Sequence, residues 1–444
     1  MEVNWPTGIT RGHWLALAAA LLGWMFDGFE MGVFPLVARP ALIDLLGLSD
    51  AVKSASEEDN LQVKESRLKG IDAQVGQWMG GITAAFLLGA ALGGWAFGWL
   101  GDRIGRVRAM VFSVLTYATF TGFCGLAQWP WQLAGLRFLS ALGMGGEWSL
   151  GVALVMECWP AQTRPVLAGL IGAAGNVGYV LTAIPVMAIE GLGLHMNAGG
   201  WRWVLGVCAF PALLTFLLRM FVPESEKWQH AVQTAPRARF TEIFAPKLRK
   251  RTILGAALAA IALIGTWGSV QWIPLWVNKE TGSQQMGNYA QICSGVGAII
   301  GTFLGAVIGH RVGRRWAYFT LCLGSLLICA YLFRFHSLVN PYYDWRFLGV
   351  VVVVGAFTAS FYGWLPLYLP ELFPTRVRAT GQGFSFNFGR IIAAGGALSM
   401  GFLMSENIFQ GSYAKAGAMV SLIYLVGMAV VWFAPETKGQ PLPV

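Results

Sequence analysis

The sequence predicts an all-α membrane protein: twelve transmembrane helices arranged as two six-helix, pseudo-symmetric halves. Three observations carry this expectation. The composition is too apolar for a water-soluble domain, twelve apolar stretches are each long enough to cross a bilayer, and short motifs at the ends of three of them recur later in the chain at a nearly constant offset.

Of the 444 residues, 56% are hydrophobic and only 12% charged, with a mean hydropathy of +0.57. Soluble globular chains carry about 25% charged residues. Six cysteines (Cys124, Cys158, Cys208, Cys293, Cys322, Cys329) stand singly, with no CxxC or Cys/His spacing. They read as small core residues, not as a disulfide framework or a metal site. The five histidines are equally dispersed, so no ligand cluster is expected. No nucleophile–base pair or phosphate loop suggests an enzyme, and no cofactor is expected.

A hydrocarbon core of ~30 Å needs about 20 apolar residues per helix. Such stretches fall at 14–36, 77–99, 109–127, 130–154, 166–189, 201–221, 252–276, 288–309, 316–335, 344–370, 381–404 and 414–434. The first follows Arg11 and runs through Asp27 without a small-residue cleavage site, so it reads as a retained helix, not a signal peptide. An even number of spans puts both termini on one side. The segments on that side (1–13, 100–108, 155–165, 222–251, 310–315, 371–380, 435–444) hold 18 Lys and Arg, against five in residues 37–76 and Lys279 opposite. This asymmetry places both termini in the cytoplasm of a multi-pass inner-membrane protein. It also explains the net charge of +9 without nucleic acid. Residues 47–76 form a long external loop of mixed charge with no readable role. Residues 222–251, basic and opening on PESEKW, read as a linker between halves at 1–221 and 252–444.

The repeat supports that division. Asp102, Arg103, Gly105 and Arg106 after the second span recur as His310, Arg311, Gly313 and Arg314 after the eighth, 208 residues on (Arg103 to Arg311). Glu157, Pro160 and Arg164 recur as Glu371, Pro374 and Arg378, 214 residues on (Glu157 to Glu371). Pro223-Glu224 recurs as Pro435-Glu436, 212 residues on (Glu224 to Glu436). Parallel repeats of this kind place a substrate site between the halves near the bilayer midplane.

Residues Gly98 to Arg108, GWLGDRIGRVR, resemble the major facilitator signature between helices 2 and 3. The endings PES at 223–225 and PETKG at 435–439, with PELFPTRVRATG at 370–381, are similar to the sugar-porter branch and its organic-ion and sialic acid relatives. Arg137 followed by GMGGEW at 143–148, Glu157 and Arg164 resembles the proton symporters for lactate, pyruvate and sialic acid. The seventh span departs from those lactate carriers, which have a polar signature with an Asp where this chain has Gln271 in WGSVQWIPLW. The resemblance spans essentially the whole chain and implies a monomeric, alternating-access carrier.

Read physically, Asp102 sits at a helix end among arginines, where a carboxylate caps a neighbouring helix N-terminus and holds an Arg at about 0.5–2 kcal/mol per contact. With Arg103, Arg106, Glu157, Arg164, Arg311, Glu371 and Arg378 it reads as a breakable latch between the halves. The alternative is ordinary loop charge.

A charge at the bilayer centre costs at least ~2.5–3.5 kcal/mol, so deep charges point to function. Asp27 and Glu30 share a face of the first span. Asp27 lies roughly 14 Å from the outer end of its helix and Arg137, on the fourth span, roughly 10 Å from the same surface, so the two are expected to pair. A carboxylate there accepts a proton when the pair separates, a proton-coupling device that also resembles proton-coupled porters; a static ion pair is the alternative. Glu30 reads as facing the outer vestibule. Glu147, in a glycine-rich stretch, reads as an interhelical bond or a proton relay. Arg390 lies roughly 14 Å into the eleventh span with no acid of its own half at that depth, and its planar fork suits a carboxylate. Bonds to backbone carbonyls, or to Asp27 across the cleft, are the alternatives. An Arg on helix 11 also resembles the organic-anion members. Asn176, Gln271, Gln291 and Asn387, with Tyr362 and Trp364, are candidate pocket residues, and Trp24, Phe26, Tyr179 and Trp272 lie at similar depth.

The leading reading is therefore proton symport of a small organic acid, whether monocarboxylate, aromatic acid or acidic sugar. A neutral sugar or polyol symporter is the second, and a non-transporting sensor on the same scaffold the third.

Overall fold

The computed structural model describes residues 9–209, 221–234, 239, 241–281, 284–336, 344–403, 409 and 412–443. Every regular element among them is helical, as expected where hydrocarbon leaves the backbone no partner but itself. Among the described residues, ten of the predicted spans are helices long and apolar enough to cross a membrane. The spanning helices are α1 (Arg11–Leu45), α2 (Leu61–Ile104), α3 (Arg106–Cys124), α4 (Pro130–Cys158), α5 (Arg164–Leu181, resuming as Ala183–Gly191) and α6, described over Gly200–Cys208. In the second half come α7 (Pro246–Gly268), α8 (Gln284–Val312), α9 (Arg314–Ala330), α10 (Trp345–Ala359 and Phe361–Leu372), α11 (Arg378–Leu403) and α12 (Tyr413–Val420 and Ile423–Val430). The rest of the sixth predicted span, residues 210–220, and linker residues 235–238 and 240 lie outside the described residues.

Residues 47–76 depart from the expected loop. They fold into the helix Ser49–Ser56 and the first four turns of α2, whose N-terminus is capped by Asn60 Oδ1, accepting from Gln62 N at 3.1 Å and Val63 N at 3.4 Å. At 44 residues, α2 is about 66 Å long, twice the hydrocarbon thickness. Its extension buries Ile71 and Val75 in one apolar cluster with Ala38, Ala41 and Leu42 of α1, which explains why a stretch this polar on average is helical.

The seventh span is also broken. The α-helix stops at Gly268, Ser269 leaves helical geometry at φ −131° and ψ −60°, and a short 3-10 turn, Val270–Trp272, leads into the helix Ile273–Thr281.

The end of the bundle where α1 starts and α12 finishes is tied across the halves. Asp102 on α2 accepts from the backbone N–H of Ala379 (3.2 Å) and Thr380 (2.7 Å) and from Thr380 Oγ1 (2.6 Å), at the start of α11. This end is called the latch end below.

Candidate functional site

The polar cluster at this end is built twice, once in each half. Arg106 reaches Glu157 at 2.9 Å, and Arg314 reaches Glu371 at 2.7 Å. Ser225 Oγ donates to Glu157 and Thr437 Oγ1 to Glu371, both at 2.6 Å. The Glu224 carboxylate accepts from Arg106 N (2.9 Å) and Val107 N (3.1 Å), and Glu436 from Arg314 N (3.0 Å) and Arg315 N (3.1 Å). Each carboxylate thus answers free N–H groups at a helix start. The turn before each helix is a glycine at positive φ, Gly105 at +112° and Gly313 at +110°. A Cβ on Gly105 would lie 2.3 Å from Glu224 Oε2.

The first copy also hydrogen-bonds across to the other half. Arg378 Nη1 donates to Glu157 at 2.8 Å, Arg106 Nη2 to the Thr375 carbonyl at 2.7 Å, and Asp102, paired with Arg106 at 2.8 Å, caps α11. His310 occupies the repeat position of Asp102 and is exposed. Arg164, the counterpart of Arg378, lies within electrostatic reach of Glu371 and Arg378. Two expected latch residues are not part of these contacts. Arg311 is exposed and offers only its carbonyl, to Lys438 at 2.7 Å, and Arg103 lies over the Trp99 ring at 5.1 Å. The contact with Glu371 is made instead by Arg314, the repeat partner of Arg106, which the repeat had placed but which was not counted among the latch candidates.

Outside the membrane spans, burial raises the Glu224 carboxyl above the ordinary glutamate value of 4.5. Glu436 goes the other way. Burial pushes it up, but N–H donors from Arg314, Arg315 and Lys438 outweigh this and hold it below 4.5.

Between the halves lies a cavity with about 930 Å³ of empty space when the open solvent at its mouth is counted. Trp24, Gly28 and Met31 of α1 and Asn176 and Tyr179 of α5 line one side; Trp267 and Gln271 at the α7 break, Gln291 of α8, Tyr362 of α10 and Phe386 and Arg390 of α11 line the other. The room beside α1 exists because Gly28 meets α5 at Gly175, where a Cβ would stand 1.9 Å from the Gly175 carbonyl oxygen. Phe386 lies six residues, about 9 Å, along α11 from the Thr380 cap, so the cavity ends above the latch. Arg390 is the one charged side chain among the described residues lining it. It is 4% exposed.

The charge pairing differs from the expectation. Arg137 pairs with Glu30, not with Asp27, and is held between the rings of Phe34 (4.7 Å) and Phe86 (4.4 Å). Glu30 is buried instead of facing a vestibule, and Thr121 Oγ1 also donates to it at 3.1 Å. Asp27, fully buried, acts electrostatically on Arg390 across the halves. The reason is helical phase: three residues turn a side chain by about 300°, which still leaves Asp27 and Glu30 some 60° apart, enough to face different neighbours. Glu147 is buried on α4 beside Trp148.

Of the pocket candidates, Asn176, Gln271, Gln291 and Tyr362 line the cavity and two do not. Asn387 donates to Gly383 O at 2.9 Å and packs against Gly94 of α2. Trp364 is fully buried between Tyr318 and Tyr368, its indole N–H on the Arg314 carbonyl at 3.2 Å. Trp272 also points elsewhere, stacking on Tyr413. Phe386 was not singled out because one phenylalanine among 28 carries no mark in the sequence.

Two six-helix halves meeting around a cavity, with buried polar contacts joining them below it, fit the class of membrane transport proteins. A family model described as Major Facilitator Superfamily matches residues 14–397, and the chain belongs to that superfamily: it is a multi-pass membrane transporter, not an enzyme. It is 29% identical to the cis,cis-muconate transport protein of Acinetobacter baylyi, over 90% of this chain and 92% of that one. It is 31% identical to the inner membrane metabolite transport protein YgcS of Escherichia coli, over 82% and 84%. Among solved structures, the proton:xylose symporter XylE bound to 6-bromo-6-deoxy-D-glucose matches with a TM-score of 0.75 and 17% identity, covering 97% of each chain; that likeness concerns the fold.

Proposed function

We propose that this protein is a proton-coupled symporter of a small organic anion, working as a monomer by alternating access, with the latch end in the cytoplasm of the inner membrane. The observation that carries the reading is Arg390, the one charged side chain among the described residues lining a cavity between the halves. A guanidinium so placed binds a carboxylate in a bidentate fork, and Asn176, Gln271, Gln291 and Tyr362 offer it polar company. The muconate transporter among its relatives moves a molecule of that charge type. Asp27 supplies the coupling. It answers Arg390 while the cavity is empty; once a substrate carboxylate takes the guanidinium, Asp27 is left as a buried anion and takes a proton. The Glu30–Arg137 pair is the second acid–base element, and Glu147 a candidate relay. In this reading residues 1–221 and 252–444 rock as two bodies joined by the linker 222–251.

The test is uptake into proteoliposomes. An inward proton gradient is expected to drive carboxylate accumulation, and Asp27→Asn to abolish that drive while leaving exchange of carboxylate across the membrane largely intact. Uptake by the wild-type protein that ignores the gradient would rule the coupling out.

A further inference from the structure

The chain does not leave the bundle where α12 ends. After Pro435 and Glu436 it turns back at Gly439, whose φ is +77°. Gln440 closes that turn, its N–H on the Thr437 carbonyl at 3.1 Å and its Nε2 on the Glu436 carbonyl at 3.3 Å. The next three residues are Pro441, Leu442 and Pro443. Each proline fixes its own φ and disfavours helical geometry for the residue before it, so the stretch is stiff and loses little entropy on being held. Leu442 packs against the apolar core to which both halves contribute. The Pro443 carbonyl accepts from Thr375 N at 3.2 Å, from Thr375 Oγ1 at 3.3 Å and from Arg378 Nη2 at 2.7 Å.

Thr375 and Arg378 are also two of the residues that reach the first half. The Thr375 carbonyl accepts from Arg106 Nη2 at 2.7 Å, and Arg378 Nη1 donates to Glu157 at 2.8 Å. Each is therefore held from two directions, by Pro443 on one side and by the first half on the other. Both are buried. Without the Pro443 carbonyl, Arg378 Nη2 is a buried donor that has lost its acceptor, which costs more than the bond itself is worth. The guanidinium then turns towards another acceptor, at the expense of its aim at Glu157. The first half is built otherwise. After Ser225 the chain continues as the helix Glu226–Thr234, and the buried Nε of Arg164, the repeat partner of Arg378, makes no hydrogen bond.

We propose that residues 437–443 form a strap that sets how firmly the latch end closes, by positioning Thr375 and Arg378 for their contacts with Arg106 and Glu157. Leu442 anchors the strap, and the Pro443 carbonyl does the positioning. The proposal requires neither a particular solute nor proton coupling, so it stands or falls apart from the organic-anion reading.

The experiment places a cysteine at Ser149, which is buried and whose carbonyl accepts from Gln382 of the other half at 2.7 Å. Labelling of the purified protein by a maleimide is followed residue by residue by mass spectrometry. Native Cys208, buried in the apolar cluster at the other end of the first half, reports general loosening of the fold. Ending the chain after Gln440 is expected to speed labelling at position 149 by about three- to tenfold, the range of one net hydrogen bond, and to leave Cys208 unchanged. Leu442→Ala, the milder variant, is expected to act in the same direction and by less. In Arg378→Lys, where the planar fork is already gone, shortening the chain is expected to add little. Unchanged labelling at position 149 in both strap variants overturns the proposal. So does a rise at Cys208 in step with position 149, which would make the segment a general support of the fold. A full additive rise in Arg378→Lys shows that the segment does not act through Arg378, and overturns it as well.

Discussion

A guanidinium buried at mid-membrane is costly unless an anion answers it, and the two deep arginines of this protein are answered differently. Arg137 is enclosed by Glu30 and two phenylalanine rings inside the first half. Arg390 faces a cavity, with Asp27 acting on it from the other half. An enclosed pair holds a helix in place, whereas a pair shared across a cavity can be exchanged for a ligand. Replacing Arg390 by Lys keeps the charge and loses the planar fork. Affinity for a carboxylate is expected to fall by ~1.5–3 kcal/mol, roughly ten- to hundredfold, while a neutral amide of the same acid is nearly unaffected. Calorimetric titration of acid and amide against wild type and Arg390→Lys checks this. Equal losses for both ligands would mean that Arg390 serves only to join helices.

At the scale of elements, the same polar ladder closes the start of α3 and of α9, yet its two outer carboxylates have opposite environments. Glu224 is raised by burial; its charged form is disfavoured in the fold, and this deficit applies above its raised folded value and disappears as pH falls through that value towards 4.5. Glu436 is held below 4.5 by its N–H donors; its stabilising contribution is full above 4.5 and is lost as pH falls through its depressed folded value. The expected outcome is a difference in sign. Glu436→Gln lowers the thermal midpoint at pH 7, and the loss shrinks below pH 4.5. Glu224→Gln costs least at pH 7, and wild type gains on it as pH falls towards 4.5. Thermal unfolding in detergent across this range reads both curves, and parallel behaviour of the two variants would contradict the assigned environments.

For the whole molecule, the charged contacts that join the halves at the latch end include the Asp102 cap on α11, Arg378 on Glu157, and Arg106 on the Thr375 carbonyl, and Gln382 adds a hydrogen bond to the Ser149 carbonyl at 2.7 Å. At about 0.5–2 kcal/mol each, these charged contacts are of a size that the proposed cycle of ligand and proton binding could overcome. Asp102→Asn removes the charge that faces the α11 N-terminus and pairs with Arg106. It is expected to slow transport several-fold with little change in ligand affinity, and to raise the labelling of a cysteine introduced at Thr375 by an impermeant maleimide. Unchanged labelling would show that this contact does not hold the latch end shut.

Much of this was legible in the sequence, because lipid imposes strict rules. A segment that crosses hydrocarbon must be apolar, long and helical, so the twelve spans and the all-α class follow from composition and length, and the two halves from motifs repeated at nearly one offset. That Asp102, Arg106 and Glu157 would meet helix ends and one another was readable for a related reason: charge at a helix end has few uses. The sequence did not decide which acid meets which arginine. Spacing locates Asp27 and Glu30 in depth, but rotation about the helix axis and the packing of neighbouring helices determine that Glu30 pairs with Arg137 and that Asp27 acts electrostatically on Arg390. Nor did it locate the cavity floor. Phe386, Trp148 and Trp24 are ordinary apolar residues in three distant helices, and only the tertiary packing of α1, α4 and α11 brings their rings together beneath Arg390.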